Sequence, residues 1–188
     1  ETKMKKIFTM AAGVATIALP SAAVAQDAPA AEAFIGASAG YHDLDVSGDI
    51  DEDTAGLDVN TGSPIIGVVA GVDFPLGGSA FAGIEGNFHF GTDVIDSEYG
   101  ASARLGFRSD GGAKYYLRGG YQVIDIDPYK IVDVDLPAGS LDDVDDTDGD
   151  FLVGVGADFP LGNAVLRFNL DTVSFDTVRG TAGIAFRF

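Results

Sequence analysis

Hydrophobic and polar residues alternate along most of the chain beyond residue 32. In the last such segment, Val178, Ile184 and Phe186 lie on one face, and Arg179 and Arg187 lie on the other. Alternation with a period of two residues is typical of a β-strand that has one apolar and one polar face. Beyond residue 32 no window has a helical period. The pattern therefore predicts an all-β protein.

Eight segments have this pattern, each about as long as a tilted strand that crosses a bilayer, about 9–11 residues. They span residues 33–43, 64–74, 80–90, 98–108, 113–125, 150–159, 164–174 and 177–188. Short turns at 75–78, 109–112 and 160–163 alternate with links at 44–63, 91–97, 126–149 and 175–176. Strands that face lipid must close on themselves, because lipid does not tolerate an unpaired edge. We predict a single eight-stranded antiparallel up-and-down transmembrane β-barrel.

Alternation alone does not determine which face of the barrel is apolar. In a soluble, periplasmic lipocalin-like binding barrel the apolar face points inward, and this alternative stays open. Three features favour apolar side chains on the outside. Charges share the opposite face with many glycines, aromatic residues lie near strand ends, and the turns are short at one end only.

The first 25 residues have the composition of an export signal. Two lysines precede an Ala-rich apolar stretch that leads to Ala23-Val24-Ala25, a typical cleavage site. We predict a cleavable signal peptide over residues 1–25, a short linker over residues 26–32 and the barrel over residues 33–188.

The charge and the cysteine count exclude several classes of function. The formal net charge is −18, and nucleic-acid binding needs clustered Lys and Arg. The chain has no cysteine, which excludes disulfides, thiolate metal sites and cysteine nucleophiles. Because 46% of the residues are hydrophobic, the acidic charge does not indicate a disordered tail.

Strand number, turn asymmetry and the final strand together resemble the small eight-stranded outer-membrane barrels, namely the opacity-type surface proteins and the OmpA-like transmembrane domain. The resemblance covers residues 33–188. The ending Ile184-Ala185-Phe186-Arg187-Phe188 resembles the assembly signal of that family, which implies that the barrel-insertion machinery reads Phe186 and Phe188. It also implies a monomer in the outer membrane of a Gram-negative bacterium, in contact with lipid and lipopolysaccharide.

Charged residues on the polar face form the first candidate site. If the turns set the register, Arg104 and Arg118 lie opposite each other on adjacent strands, with Glu85 one strand further on. Two guanidinium groups this close in a narrow lumen require carboxylate partners. The residues either form a gate that selects solutes or a network that plugs and rigidifies the barrel. In eight-stranded barrels side chains fill the interior, which favours the plug.

The second candidate is the acidic link before the sixth strand, where Asp143, Asp145, Asp146, Asp148 and Asp150 cluster. Clustered carboxylates are ligands for Ca²⁺, but the link lacks the final Glu and the helices of an EF-hand. The alternatives are a weak calcium site and a solvated loop that borrows divalent ions at the lipopolysaccharide surface. We expect no other cofactor.

The chain offers little that indicates catalysis. His42 and His89 are its two histidines, and Ser38 lies on the face of His42 but about 13 Å from it. We predict no catalytic residue and no enzymatic activity. The expected function is structural, with an acidic envelope surface, and a narrow pore for small solutes is the alternative.

Overall fold

The computed structural model describes residues 30–44, 62–126 and 147–188. The strands run in chain order: β1 (Glu32–Asp43), β2 (Gly62–Gly77), β3 (Ala80–Gly91), β4 (Ile95–Arg108), β5 (Lys114–Ile126), β6 (Thr147–Leu161), β7 (Ala164–Val173) and β8 (Thr177–Arg187). Each pairs antiparallel with the next, and β1 pairs with β8 to close the barrel. The predicted eight-stranded antiparallel barrel is confirmed. The predicted signal peptide lies outside the described residues.

Within the described ranges, no helix is long and apolar enough to cross a membrane.

Some strands extend beyond the residues that alternation marks. β2 continues into the predicted turn at 75–78 and ends at Gly77, with a bulge between Pro75 and Gly77. Gly77 and Gly78 then take φ values of 103° and 58°, which glycine adopts without a Cβ clash. β4 begins at Ile95, three residues before the predicted start, and a bulge lies between Ile95 and Ser97. A bulge shifts the alternation by one residue, so the sequence period is lost although pairing continues.

The outward face of the barrel is apolar. Leu117 is 65% exposed and Phe151 is 67% exposed, whereas the inward-facing Arg104 and Arg179 are each 1% exposed. This arrangement is the inverse of a soluble barrel with an apolar interior. The lipocalin-like alternative is therefore not favoured.

Small residues make space for the charged interior. A Cβ on Gly83 would lie 2.2 Å from Oδ1 of Asp73, and one on Gly154 would lie 2.1 Å from Oδ1 of Asp171. These two glycines thus leave space for the carboxylates of the residues with which they pair on the adjacent strand.

Two clusters of apolar side chains are buried inside the barrel. At the end that carries the long links, a cluster that we call the apolar cap lies at buried positions: Val94, Ile95, Ile124, Leu152 and Val173. Near the short-turn end, a second buried cluster consists of Phe34, Val165 and Ala185. The charged part of the lumen lies below the apolar cap and reaches the short-turn rim, where Lys114 contacts both Asp73 and Glu32.

Candidate functional site

Ten fully charged side chains are buried within the described part of the barrel, and we call them the interior charge network. Five are carboxylates and five are cations: Asp73, Glu85, Glu98, Asp158 and Asp171, with Arg104, Lys114, Arg118, Arg167 and Arg179. Each lies next to at least one outward-facing apolar residue of its own strand, which places it on the inward face. The formal charges of the network cancel.

Glu85 on β3 lies at the centre of this network. Its Oε2 accepts from Nη1 of Arg167 at 2.6 Å and from Nη1 of Arg104 at 3.3 Å. Its Oε1 lies 3.2 Å from Nη2 of Arg118. The structure thus brings the three sequence-predicted residues together, and the register pairs Arg104 with Arg118. It adds a third guanidinium, that of Arg167, from the far side of the barrel.

Carboxylates on β6 and β2 contact Arg167 and Arg104 from their other sides. Arg167 forms a bidentate pair with Asp158, in which both N–O distances are 2.7 Å. Arg104 donates from Nη2 to Asp73 at 2.6 Å, and Lys114 donates to the other oxygen of Asp73 at 2.7 Å. Charge-assisted and bidentate hydrogen bonds are the strong ones, so these contacts fix both guanidinium planes.

Aromatic faces complete the environment of two arginines. The guanidinium carbon of Arg104 lies 4.6 Å from the ring centroids of both Phe34 and Tyr116. That of Arg167 lies 4.2 Å from the Phe34 ring. Cation–π contacts of this kind gain strength when they are desolvated. The Tyr116 hydroxyl also lies 3.0 Å from Oδ1 of Asp158, so this aromatic layer is tied to the ion pairs.

A serine, a histidine and a glutamate meet closer to the apolar cap. Oγ of Ser38 lies 2.7 Å from Nε2 of His89, and Nδ1 of His89 lies 3.5 Å from Oε1 of Glu98. The order of contacts is that of a hydrolytic triad. The sequence analysis missed this group, because it compared Ser38 with His42 on the same strand and not with His89 two strands away.

The proton positions in this group do not suit nucleophilic catalysis. Nη2 of Arg179 lies 3.1 Å from Nδ1 of His89, and a guanidinium only donates. Nδ1 of neutral His89 must therefore accept, which leaves the proton on Nε2 and makes Nε2 the donor to Ser38. A triad requires Nε2 to accept the serine proton. Ser38, His89 and Glu98 are also buried, at 6%, 1% and 0% exposed.

The second histidine links three strands below the apolar cap. Nδ1 of His42 on β1 lies 2.7 Å from Oε2 of Glu98 on β4. Its Nε2 lies 3.1 Å from Oγ1 of Thr177 on β8. Glu98 in turn lies 2.7 Å from Nε of Arg179. Through Glu98, this layer ties β4 to β1 and β8, neither of which pairs with β4.

The predicted metal ligands are only partly described. Asp143, Asp145 and Asp146 lie outside the described residues. Oδ1 of Asp148 accepts from the backbone of Gly149 at 2.8 Å, and Oδ2 of Asp150 accepts from Ser174 at 2.7 Å. In the part of the chain that the structure describes, no group of three or more acidic or histidine side chains is arranged to hold a metal ion. Divalent binding by this link stays a prediction.

The two residues of the predicted assembly signal lie on the outside, with Phe186 56% and Phe188 74% exposed. The backbone of Phe188 exchanges two hydrogen bonds with Ala33, at 3.0 and 3.1 Å, next to the β1–β8 pairing that closes the barrel. Recognition of these residues by the insertion machinery stays a prediction.

Comparison with known proteins is informative at the level of the fold. No family model and no curated protein matches the sequence. The N-terminal β-barrel domain of Pseudomonas aeruginosa OprF has a similar structure, with a TM-score of 0.50, 13% identity, and coverage of 84% of this chain and 97% of that one. The attachment invasion locus protein Ail of Yersinia pestis is 17% identical, with a TM-score of 0.47 and the same coverage of both chains. The chain has the fold of the small eight-stranded outer-membrane β-barrels.

Proposed function

We propose that this protein is a non-enzymatic outer-membrane barrel of a Gram-negative bacterium, with a filled interior and a structural role in the envelope. The observation that carries the proposal is the contrast between an apolar exterior and a buried, charge-balanced interior. The long acidic links at one end would form its outer surface.

A lipid environment follows from the exterior. A soluble monomer rarely exposes a contiguous apolar patch of more than a few hundred Å². Here every strand presents outward apolar side chains, among them Ile66, Leu105 and Leu170. The closed ladder leaves no strand edge unpaired, which a bilayer requires. Lipid, with lipopolysaccharide at the outer leaflet, is therefore the expected partner of this surface.

A plug is favoured over a pore because of the burial of the interior. A water-filled channel would leave its lining exposed, yet Glu85, Arg104, Arg118 and Arg167 are at most 4% exposed. The interior charges also cancel, whereas ion selectivity in pores comes from an excess of one sign. A narrow pore is the second candidate, because the interior is polar along its middle and exchange of ion-pair partners around Glu85 could open a path.

The proton arrangement around Ser38 supports a non-enzymatic role. A fluorophosphonate probe, which labels activated serines, is expected not to modify the folded protein. Labelling that Ser38→Ala abolishes would contradict this part of the proposal.

We further propose a monomer that is exported by its signal peptide and inserted by the barrel-insertion machinery, without nucleic acid as a partner and without a tightly bound cofactor. Divalent ions would bind weakly at the acidic links.

Fractionation and gel mobility test the proposal together. The mature protein is expected in the outer-membrane fraction, with an N-terminus near Gln26 and faster gel migration without heating than after heating. Recovery from the soluble periplasm without a heat-dependent shift would contradict it. A soluble protein that still shows the heat-dependent shift would support the barrel fold but contradict the membrane location.

A further inference from the structure

The two histidines of the chain have opposite kinds of hydrogen-bond partner. Nδ1 of His89 faces the guanidinium of Arg179 at 3.1 Å, and a guanidinium only donates, so the ring of His89 is neutral. Both ring nitrogens of His42, in contrast, face groups that accept. His42 and His89 are 0% and 1% exposed, so their partners inside the barrel determine where the ring protons lie.

The first acceptor of His42 is a carboxylate. Nδ1 of His42 lies 2.7 Å from Oε2 of Glu98, and Nε of Arg179 lies 2.7 Å from the other oxygen of this carboxyl group. A guanidinium this close favours the ionised form of the carboxyl group. Because an ionised carboxylate only accepts hydrogen bonds, Nδ1 of His42 must carry a proton.

The second acceptor is a hydroxyl group whose own proton is already in use. Oγ1 of Thr177 lies 3.1 Å from Nε2 of His42 and donates to the backbone carbonyl of Val173 at 3.2 Å. A hydroxyl group has one proton, so Oγ1 must accept from Nε2. A histidine that donates from both ring nitrogens is an imidazolium.

The charges around His42 suit an imidazolium. Charged and titratable side chains reach this layer from four other strands: His89 on β3, Glu98 on β4, Asp171 on β7 and Arg179 on β8. On β2, the residue that pairs with His42 is the uncharged Ser63. Arg179 faces two carboxylates, Glu98 at 2.7 Å and Asp171 at 3.3 Å. A second cation next to Glu98 is therefore compensated, as a buried charge requires.

We infer that His42 is a buried imidazolium and that its proton controls a pH-sensitive latch below the apolar cap. With the proton on Nε2, the Thr177 hydroxyl donates to the carbonyl of Val173 and closes the hairpin between β7 and β8. When rising pH removes this proton, Nε2 becomes an acceptor, and the hydroxyl turns to it and releases the carbonyl. Val173 belongs to the apolar cap, so protonation of His42 is coupled to the cap.

Nitrogen-15 NMR tests the imidazolium, because protonated and bare ring nitrogens have well-separated chemical shifts. The mature protein is refolded in detergent micelles without a histidine tag, so that its two histidines give the only ring signals. At neutral pH, three of the four ring nitrogens are expected to be protonated, and the bare one is expected to be Nδ1 of His89. Two bare nitrogens, one on each ring, would overturn the inference.

A matched pair of variants identifies the ring and tests its second partner. Thr177→Val removes the acceptor of Nε2, and Thr177→Ser keeps it. Hydrogen bonds to charged groups are strong, so the His42 ring is expected to lose its proton about one pH unit lower in Thr177→Val than in Thr177→Ser, a tenfold lower proton affinity. Equal midpoints would overturn the inference. So would a response to Thr177→Val by the ring that carries the bare nitrogen.

The hairpin itself reports on the latch. The backbone N–H of Asp176 donates to the same carbonyl of Val173, at 3.3 Å. In the wild type, its amide signal is expected to shift with the same pH midpoint as the His42 ring, and in Thr177→Val this shift is expected to be lost. An amide signal that does not follow the titration of His42 in the wild type would overturn the latch.

Discussion

The inward and outward faces of the same eight strands are stabilised by different interactions. Outside, Leu105, Leu117 and Val155 lie on three adjacent strands and need only an apolar solvent. Inside, Glu85 contacts three guanidinium groups, and each of those contacts at least one further group. An outward substitution that keeps its apolar character is therefore tolerated locally. An inward one leaves buried charges without a partner.

The largest effect is expected for the loss of the Glu85 charge. Glu85→Gln leaves Arg104, Arg118 and Arg167 short of a carboxylate, and breaking a buried ionic group typically costs about 3–5 kcal/mol. Adding Arg118→Gln should recover part of the loss, because Asp171 keeps Arg179 at 3.3 Å. The free energy of unfolding in urea measures both.

Glu32 at the short-turn rim is the matched control. It contacts Arg108, Arg187 and the buried Lys114, but its side chain is 23% exposed and Lys114 keeps Asp73 at 2.7 Å, so Glu32→Gln should cost less than Glu85→Gln. If the double variant Glu85→Gln/Arg118→Gln is no more stable than Glu85→Gln alone, the charges of the network are not coupled in this way.

An arginine on the outward face tests the lipid side of the comparison. Leu117→Arg, within the apolar band, should cost about 2–4 kcal/mol, and Leu161→Arg, at the short-turn end, about 0–1 kcal/mol. Both leucines are exposed, at 65% and 58%, so burial within the protein does not separate them. Equal urea midpoints for the two variants in vesicles would mean that the two outward positions do not lie at different depths of a membrane.

A smaller effect than at Glu85 or Leu117 is expected in the layer of Ser38. Ser38→Ala leaves Nε2–H of His89 without its acceptor, which should cost about 1–3 kcal/mol. Ser38→Thr keeps the hydroxyl and is expected to retain more of the stability. If Ser38→Ala were more stable than the wild type, the hydrogen bond at 2.7 Å would contribute nothing.

The fold was predictable because alternation is a local property of each strand. The register of β4 and β5 was predictable from the short turn between them, and so was the proximity of Arg104 and Arg118. The contact between Arg167 and Glu85 was not predictable from the sequence, because β7 and β3 approach each other only across the lumen of the closed barrel. Ile95 was not recognised as part of the apolar cap, because the bulge between Ile95 and Ser97 breaks the alternation that reveals inward positions.

Conductance of the wild-type barrel in a planar lipid bilayer tests the central claim most directly. A lumen filled by paired charges below an apolar cap is expected to give no steady current at moderate voltage, in either polarity. Steady channels from heat-shifting, folded protein would contradict the filled interior and establish a pore.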